Sequence, residues 1–256
     1  MSAVLIERRD RVQWITLDRA EQRNAINGDV IEGIAEGFRR AQADSEVRAI
    51  VLTGAGDKAF CAGGDLKPGQ AFAFDVAEPA TPFANLLRLA RNCPLPSVAR
   101  INGACMAGGM GLLCMTDLAI AADHAKFGLP EAKLGLFPFQ VLSLLKDQIA
   151  PRILREYVLT GRTFNAEEAR SIGLVNHVAP AADLDAKLAE LLDALVANSP
   201  TALRRGKYAM RAIESMTFDQ SIAFTESQLT LMAQSEDARE GMAAFNEKRK
   251  PTWTGK

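Results

Sequence analysis

Histidine is scarce in this chain: His124 and His177 are the only two in 256 residues. Neither lies in a glycine-rich loop and no GxSxG occurs, so a serine hydrolase built on a histidine base lacks its parts. The same scarcity weighs against zinc. The four cysteines, Cys61, Cys93, Cys105 and Cys114, show no CxxC spacing and sit among apolar or small residues. They are expected to be reduced core thiols, and no metal is expected. A basic excess is missing too: 30 Lys and Arg are interleaved with 31 Asp and Glu for a net charge of −1. That balance lacks the footprint of a nucleic-acid or anionic-membrane partner. No apolar run reaches the about 18 residues of a membrane span. Residues 1–10 are charged, without the apolar centre of a signal peptide, so a cytoplasmic location is expected.

Hydrophobic residues at 48% and charged residues at 24% describe an ordinary globular chain, long enough to bury a large core. Val4 to Glu7 and Val12 to Leu17, split by a charged tetrapeptide, predict a hairpin. Asn27 is placed to cap a helix over Val30 to Ala41, whose Ile31, Ile34, Ala35 and Phe38 recur at helical spacing. Val47 to Leu52 reads as a buried strand. Pro82 to Arg91 and Gly109 to Met115 predict helices, Ser97 to Ile101 and Asp117 to Ala122 strands. The stretch Gly69 to Thr81, with Phe72 and Phe74 among Gly, Pro, Asp and Glu, reads as a mobile loop or weak helix. From about Ser143 helices dominate, which gives a mixed α/β fold with a helical C-terminal part.

Two glycine loops carry the chemistry. In Lys58 to Lys67 the adjacent Gly63 and Gly64 follow a strand, where backbone can approach a ligand closely. In Ile101 to Gly111 a strand joins a helix near Gly108, whose N–H gains the positive end of the helix dipole. Two such donors converging would form an oxyanion hole. Gly54 to Ala59 also fits a GxGxx(G/A) dinucleotide pattern, but Phe60 to Gly64 is read as a second loop rather than the helix such a site requires.

The ordered runs Arg23 to Asn27, Ala59 to Lys67, Ile101-Asn102-Gly103 with Ala107-Gly108-Gly109, Phe127 to Glu131 and Ala244 to Arg249 resemble the enoyl-CoA hydratase/isomerase (crotonase) superfamily over nearly the whole chain. The resemblance implies a spiral of ββα turns over residues 1–195, holding the coenzyme A and active sites. Residues 196–256 would form a helical region for trimerisation and for closing the coenzyme A site, giving a homotrimer or a dimer of trimers. It implies an acyl-CoA thioester as substrate, with coenzyme A as part of that substrate and no separate cofactor. The thioester oxygen would be held by the N–H groups of Gly64 and Gly108. Coenzyme A would run beside Arg23, Ala25, Ala62, Asp65, Leu66 and Lys67, with Lys67 at the nucleotide end and Asp65 fixing its loop. Phe245 and Lys248 match positions that in related proteins reach coenzyme A on a neighbouring subunit.

The resemblance assigns Glu131 as a proton carrier. Hydration as the family performs it uses two carboxylates around one water, whereas double-bond migration can shuttle a proton with one. The second position, six residues before Asp117, is Gly111. The glycine-rich run expected after Gly135 is also replaced, by Leu136 to Leu142, which predicts a bulky apolar wall from Phe137, Phe139 and Leu142 along the acyl chain. Three readings follow: isomerisation or hydration with Glu131 alone, hydration with a carboxylate supplied by Asp75 or Glu78, and a non-catalytic acyl-CoA-binding protein. His124 and Asp117 are expected to be structural.

Overall fold

A computed structural model describes residues 2–67 and 77–256. The hairpin β1 (Val4–Arg9) and β2 (Val12–Leu17) opens the chain, followed by α1 (Gly28–Ala43). Asn27 accepts from the Val30 N–H at 3.0 Å, as its position predicts, a cap of the kind that contributes about 1 kcal/mol. The helix buries Val30, Ile34, Ala35 and Phe38 along one face.

Three ββα units succeed one another. They are β3 (Ala49–Gly54), β4 (Ala59–Cys61) and α2 (Pro82–Asn92); β5 (Ser97–Ile101), β6 (Ala104–Met106) and α3 (Gly108–Cys114); and β7 (Leu118–Ala122), β8 (Lys126–Gly128) and α4 (Phe139–Leu145). Within each unit the first strand joins a large sheet and the second a small one. The large sheet runs β1-β2-β3-β5-β7-β10 and the small one β4-β6-β8-β9, with β9 (Thr163–Asn165) and β10 (His177–Ala179) supplied from the region after α5 (Pro151–Thr160). β3, β5 and β7 pair in parallel, as do β4, β6 and β8, so each unit advances the spiral by one strand. Glycine-loop positions at corresponding points of successive units are thereby stacked side by side.

All of β3 is buried because the large sheet is covered on both faces. Ile50 and Leu52 enter the main core with Phe38 and Phe60, while Ala49 and Val51 meet Leu184, Leu188 and Leu192 of α7 (Leu184–Val196). α6 (Ala166–Ser171) closes the small-sheet end. Burying a side chain such as Phe38 completely is worth about 1.5–3 kcal/mol.

The chain ends in α8 (Pro200–Ile213), α9 (Phe218–Ala233) and α10 (Glu236–Glu247). Polar ties hold them to the spiral: Lys207 Nζ donates to Leu95 O at 2.8 Å and to Asp117 at 2.6 Å, and Trp253 Nε1 to Ala197 O at 2.7 Å. Asp117 also accepts from Ser97 N and Oγ, which makes it a structural anchor as expected. All four cysteines are free and buried; burial pushes the Cys61 thiol up to about 12, so it stays protonated and unreactive. Among the described residues no cluster of side chains could hold a metal, and no helix is long and apolar enough to cross a membrane.

Two sequence readings need correction. Phe60 and Cys61 belong to strand β4 rather than to a loop, although the absence of a helix there, which weighed against a dinucleotide site, holds. The helical C-terminal half also contains β9 and β10. All three strands have only three residues, too few to show a period.

Candidate active site

Both glycine loops end at one place, and the same backbone device turns each donor outward. Gly63, at φ +102°, precedes Gly64, and Ala107, at φ +50°, precedes Gly108. The Gly64 segment is pinned to the start of the chain by Ala62 N to Arg23 O at 3.0 Å, Ile26 N to Gly63 O at 2.8 Å and Asp65 N to Ile26 O at 2.8 Å. That ladder leaves the N–H of Gly64 without an acceptor among the described residues. Gly108 opens α3, so its N–H has no intrahelical partner either. The donors are close: a Cβ on Gly108 would stand 3.8 Å from Gly64 N.

The cost of this arrangement is local strain. Ala107 holds a backbone conformation that costs a non-glycine residue about 1–3 kcal/mol. Gly63 has no alternative, since a Cβ there would lie 2.8 Å from the Ala107 Cβ as well as being disfavoured at its φ. Gly63→Ala is therefore expected to destabilise the protein by about 2–4 kcal/mol and to abolish any activity that needs both donors, read as the urea midpoint and the turnover of one preparation.

Glu131 faces the same cavity from a 3-10 turn, Pro130–Leu134, directly after β8. Its Oε2 is buried and has no hydrogen-bond partner among the described residues. Burial pushes its carboxyl up from the ordinary Glu value, partly offset by a hydrogen bond from its own backbone N–H. The cavity encloses about 740 Å³ and is lined by Ala62, Gly64, Leu66, Ala107, Gly108 and Glu131 on one side, and by Phe83, Phe137, Phe139 and Val141 among others. Two free N–H groups and one carboxylate with an unpaired oxygen in an apolar hollow can stabilise an oxyanion and move a proton beside it.

The sequence profile for enoyl-CoA hydratase/isomerase matches residues 7–256. The chain belongs to that family. It is 37% identical to the carnitinyl-CoA dehydratase of Proteus mirabilis strain HI4320, over 97% of each chain. It is 34% identical to an enoyl-CoA hydratase of Mycobacterium tuberculosis H37Rv, over 97% of this chain and 95% of that one. A crystal structure of enoyl-CoA hydratase from the same organism superposes with a TM-score of 0.90 at 33% identity and full coverage of both chains.

Set against the crotonase resemblance, most of the expected site residues gather in two adjoining strips. Arg23 and Ala25 run beside Ala62 to Asp65, Leu66 reaches the cavity rim, and Lys67 is exposed just beyond it. Asp65 holds the loop through Arg19 Nη2 at 2.9 Å, which keeps its carboxyl below the ordinary range. Phe137 and Phe139 line the cavity, but Leu142 does not: α4 turns it into a separate hollow with Lys146 and Arg155, and Val141 takes the wall instead. Gly111 lies under that wall rather than on it. A Cβ at position 111 would meet Phe83 Cζ at 3.1 Å and Val141 Cγ2 at 3.2 Å, so the space over that glycine is filled by apolar side chains.

Other expected contacts lie elsewhere. Phe245 and Lys248 sit on or just after α10 and do not line this cavity. Glu78 is exposed and does not line it either, while Asp75, Phe72 and Phe74 lie outside the described residues. His124 is an exposed turn residue near Asp57 O, as expected.

Sequence reading missed Arg19 and Asn24. Fully buried Asn24 donates to Ala55 O and Ala59 O, and its Oδ1 accepts from Arg19 N, which ties the Arg23 turn to β4. Their one signal is Arg23-Asn24 itself, two positive-φ residues in a row, of which Asn is the type that tolerates that conformation.

Proposed function

We propose that this protein is an acyl-CoA enzyme that stabilises a thioester enolate and moves one proton with Glu131, shifting a double bond along the acyl chain. The observation that supports this most is the unpaired, buried Glu131 Oε2 in the cavity that also holds the free N–H groups of Gly64 and Gly108. Glu131, ionised, removes a proton from carbon 2 of a 3-enoyl thioester. The electron pair moves into the conjugated system, charge gathers on the thioester oxygen against the two N–H groups, and the protonated Glu131 returns its proton at carbon 4. The product is the 2-enoyl thioester, and no water is consumed.

Phe83 and Val141 over Gly111 favour this route over two-carboxylate hydration, because neither can activate a water. Arg23, Ala25, Ala62, Leu66 and Lys67 are proposed to carry coenzyme A. Residues 196–256 are proposed to meet further copies of the chain, supported by apolar side chains such as Phe218 and Phe245 that are 78% and 84% exposed. There Phe245 and Lys248 would reach a neighbour's coenzyme A.

The test is a product analysis with 3-enoyl and 2-enoyl thioesters in water. The expected result is interconversion of the two without a 3-hydroxy product; hydration at a comparable rate would overturn the isomerase reading. Tight thioester binding without any reaction would support the non-catalytic alternative instead.

A pH dependence follows from the raised Glu131 carboxyl. Because the ionised form is the base, the acid limb of kcat/KM is expected to have its midpoint above the about 4.3 of an unperturbed Glu. A midpoint at or below that value would mean the limiting group is not Glu131.

A further inference from the structure

We propose that Thr81 and Gln140 form a polar subsite in the acyl cavity that selects chains carrying a neutral hydroxyl beyond the reacting carbons; the inference rests on the acyl-CoA reading and refines its substrate class. Apart from Glu131, these are the two cavity-lining residues, among those described, whose side chains can hydrogen-bond; the rest of the lining is apolar or glycine. They meet across the hollow: Gln140 Nε2 donates to Thr81 Oγ1 at 2.6 Å.

The pair leaves donors and an acceptor open. Thr81 Oγ1 already accepts from Gln140 and, at 3.3 Å, from Ala84 N, so it still offers its own proton. Gln140 keeps one amide N–H and its Oε1, neither with a partner among the described residues. An open donor beside an open acceptor matches a group that is both, which a hydroxyl is. A plain alkyl chain would cover both and leave them unsatisfied. A carboxylate would have no proton to give Oε1, and among the described residues no cationic side chain lines the cavity to pair with it.

Thr81 and Gln140 stand on different elements, at the cap of α2 and in the first turn of α4, so the subsite depends on the fold bringing the starts of these two helices together. Phe83 and Val141, which fill the space over Gly111, flank it.

The experiment is calorimetric titration of the full chain with two saturated coenzyme A thioesters of equal length, one with a terminal hydroxyl and one without, beside the Gln140→Leu and Thr81→Val variants and a thermal melt of each. The wild type is expected to bind the hydroxylated chain about 10-fold more tightly, and each variant to lose or invert that ratio. A purely structural role would weaken both ligands alike and leave the ratio unchanged. Equal or tighter binding of the alkyl chain by the wild type overturns the subsite while leaving the acyl-CoA reading intact; failure to bind either thioester overturns both.

Discussion

Glu131→Gln is expected to slow conversion of a 3-enoyl to a 2-enoyl thioester by about 10²–10⁴-fold, the usual contribution of a positioned general base. Gln preserves the shape and removes the proton acceptor, so coenzyme A affinity should change little. Stability should move the other way. Burial raises the Glu131 carboxyl, and a group whose folded value is raised favours the fold while protonated and loses that contribution as pH rises through the folded value. At neutral pH the ionised carboxylate therefore opposes folding, and the variant should melt at the same temperature or higher. That gain should shrink as the pH falls below the ordinary Glu range. Turnover lost together with a lower melting temperature would show that Glu131 is a structural residue.

Gly111→Glu, which writes a second carboxylate into the sequence, is expected to destabilise the protein without creating a hydratase. Replacing a mid-helix glycine gains about 1 kcal/mol of helix propensity at most. Against that stand the contacts at 3.1 Å with Phe83 and 3.2 Å with Val141 before any atom beyond Cβ is placed, and a charge delivered into an apolar layer. The unfavourable effects win, by on the order of 2–4 kcal/mol net. Adding Phe83→Ala should recover part of the loss by opening room for the side chain. Urea midpoints and product analysis of the single and double variants check this, and wild-type stability with efficient hydration by Gly111→Glu alone would contradict it.

How legible the molecule was depends on the length of each element. α1 with its Asn27 cap and β3 could be read directly, because six or more residues show a period or an unbroken apolar run. β4, β9 and β10 could not, so the spiral of ββα turns came from the family resemblance and not from any period, since each short strand owes its existence to a neighbour already in place. The site divides in the same way. Gly64, Gly108 and Glu131 were legible through motifs at fixed spacing, yet nothing local announces that Phe83, some 28 residues before Gly111, will lie against it. Leu142 was misplaced because an apolar run read without its helix gives no direction to individual side chains. Thr81 and Gln140, 59 residues apart, are a pair only once the fold brings the starts of α2 and α4 together.

Solvent deuterium exchange at the α-carbon of a saturated acyl-CoA tests most directly whether this cavity makes an enolate, because no double bond or added water is involved. The wild type is expected to exchange that proton, and Glu131→Gln to bind the thioester and leave it in place. A wild-type protein that binds the same thioester and exchanges nothing would contradict the account.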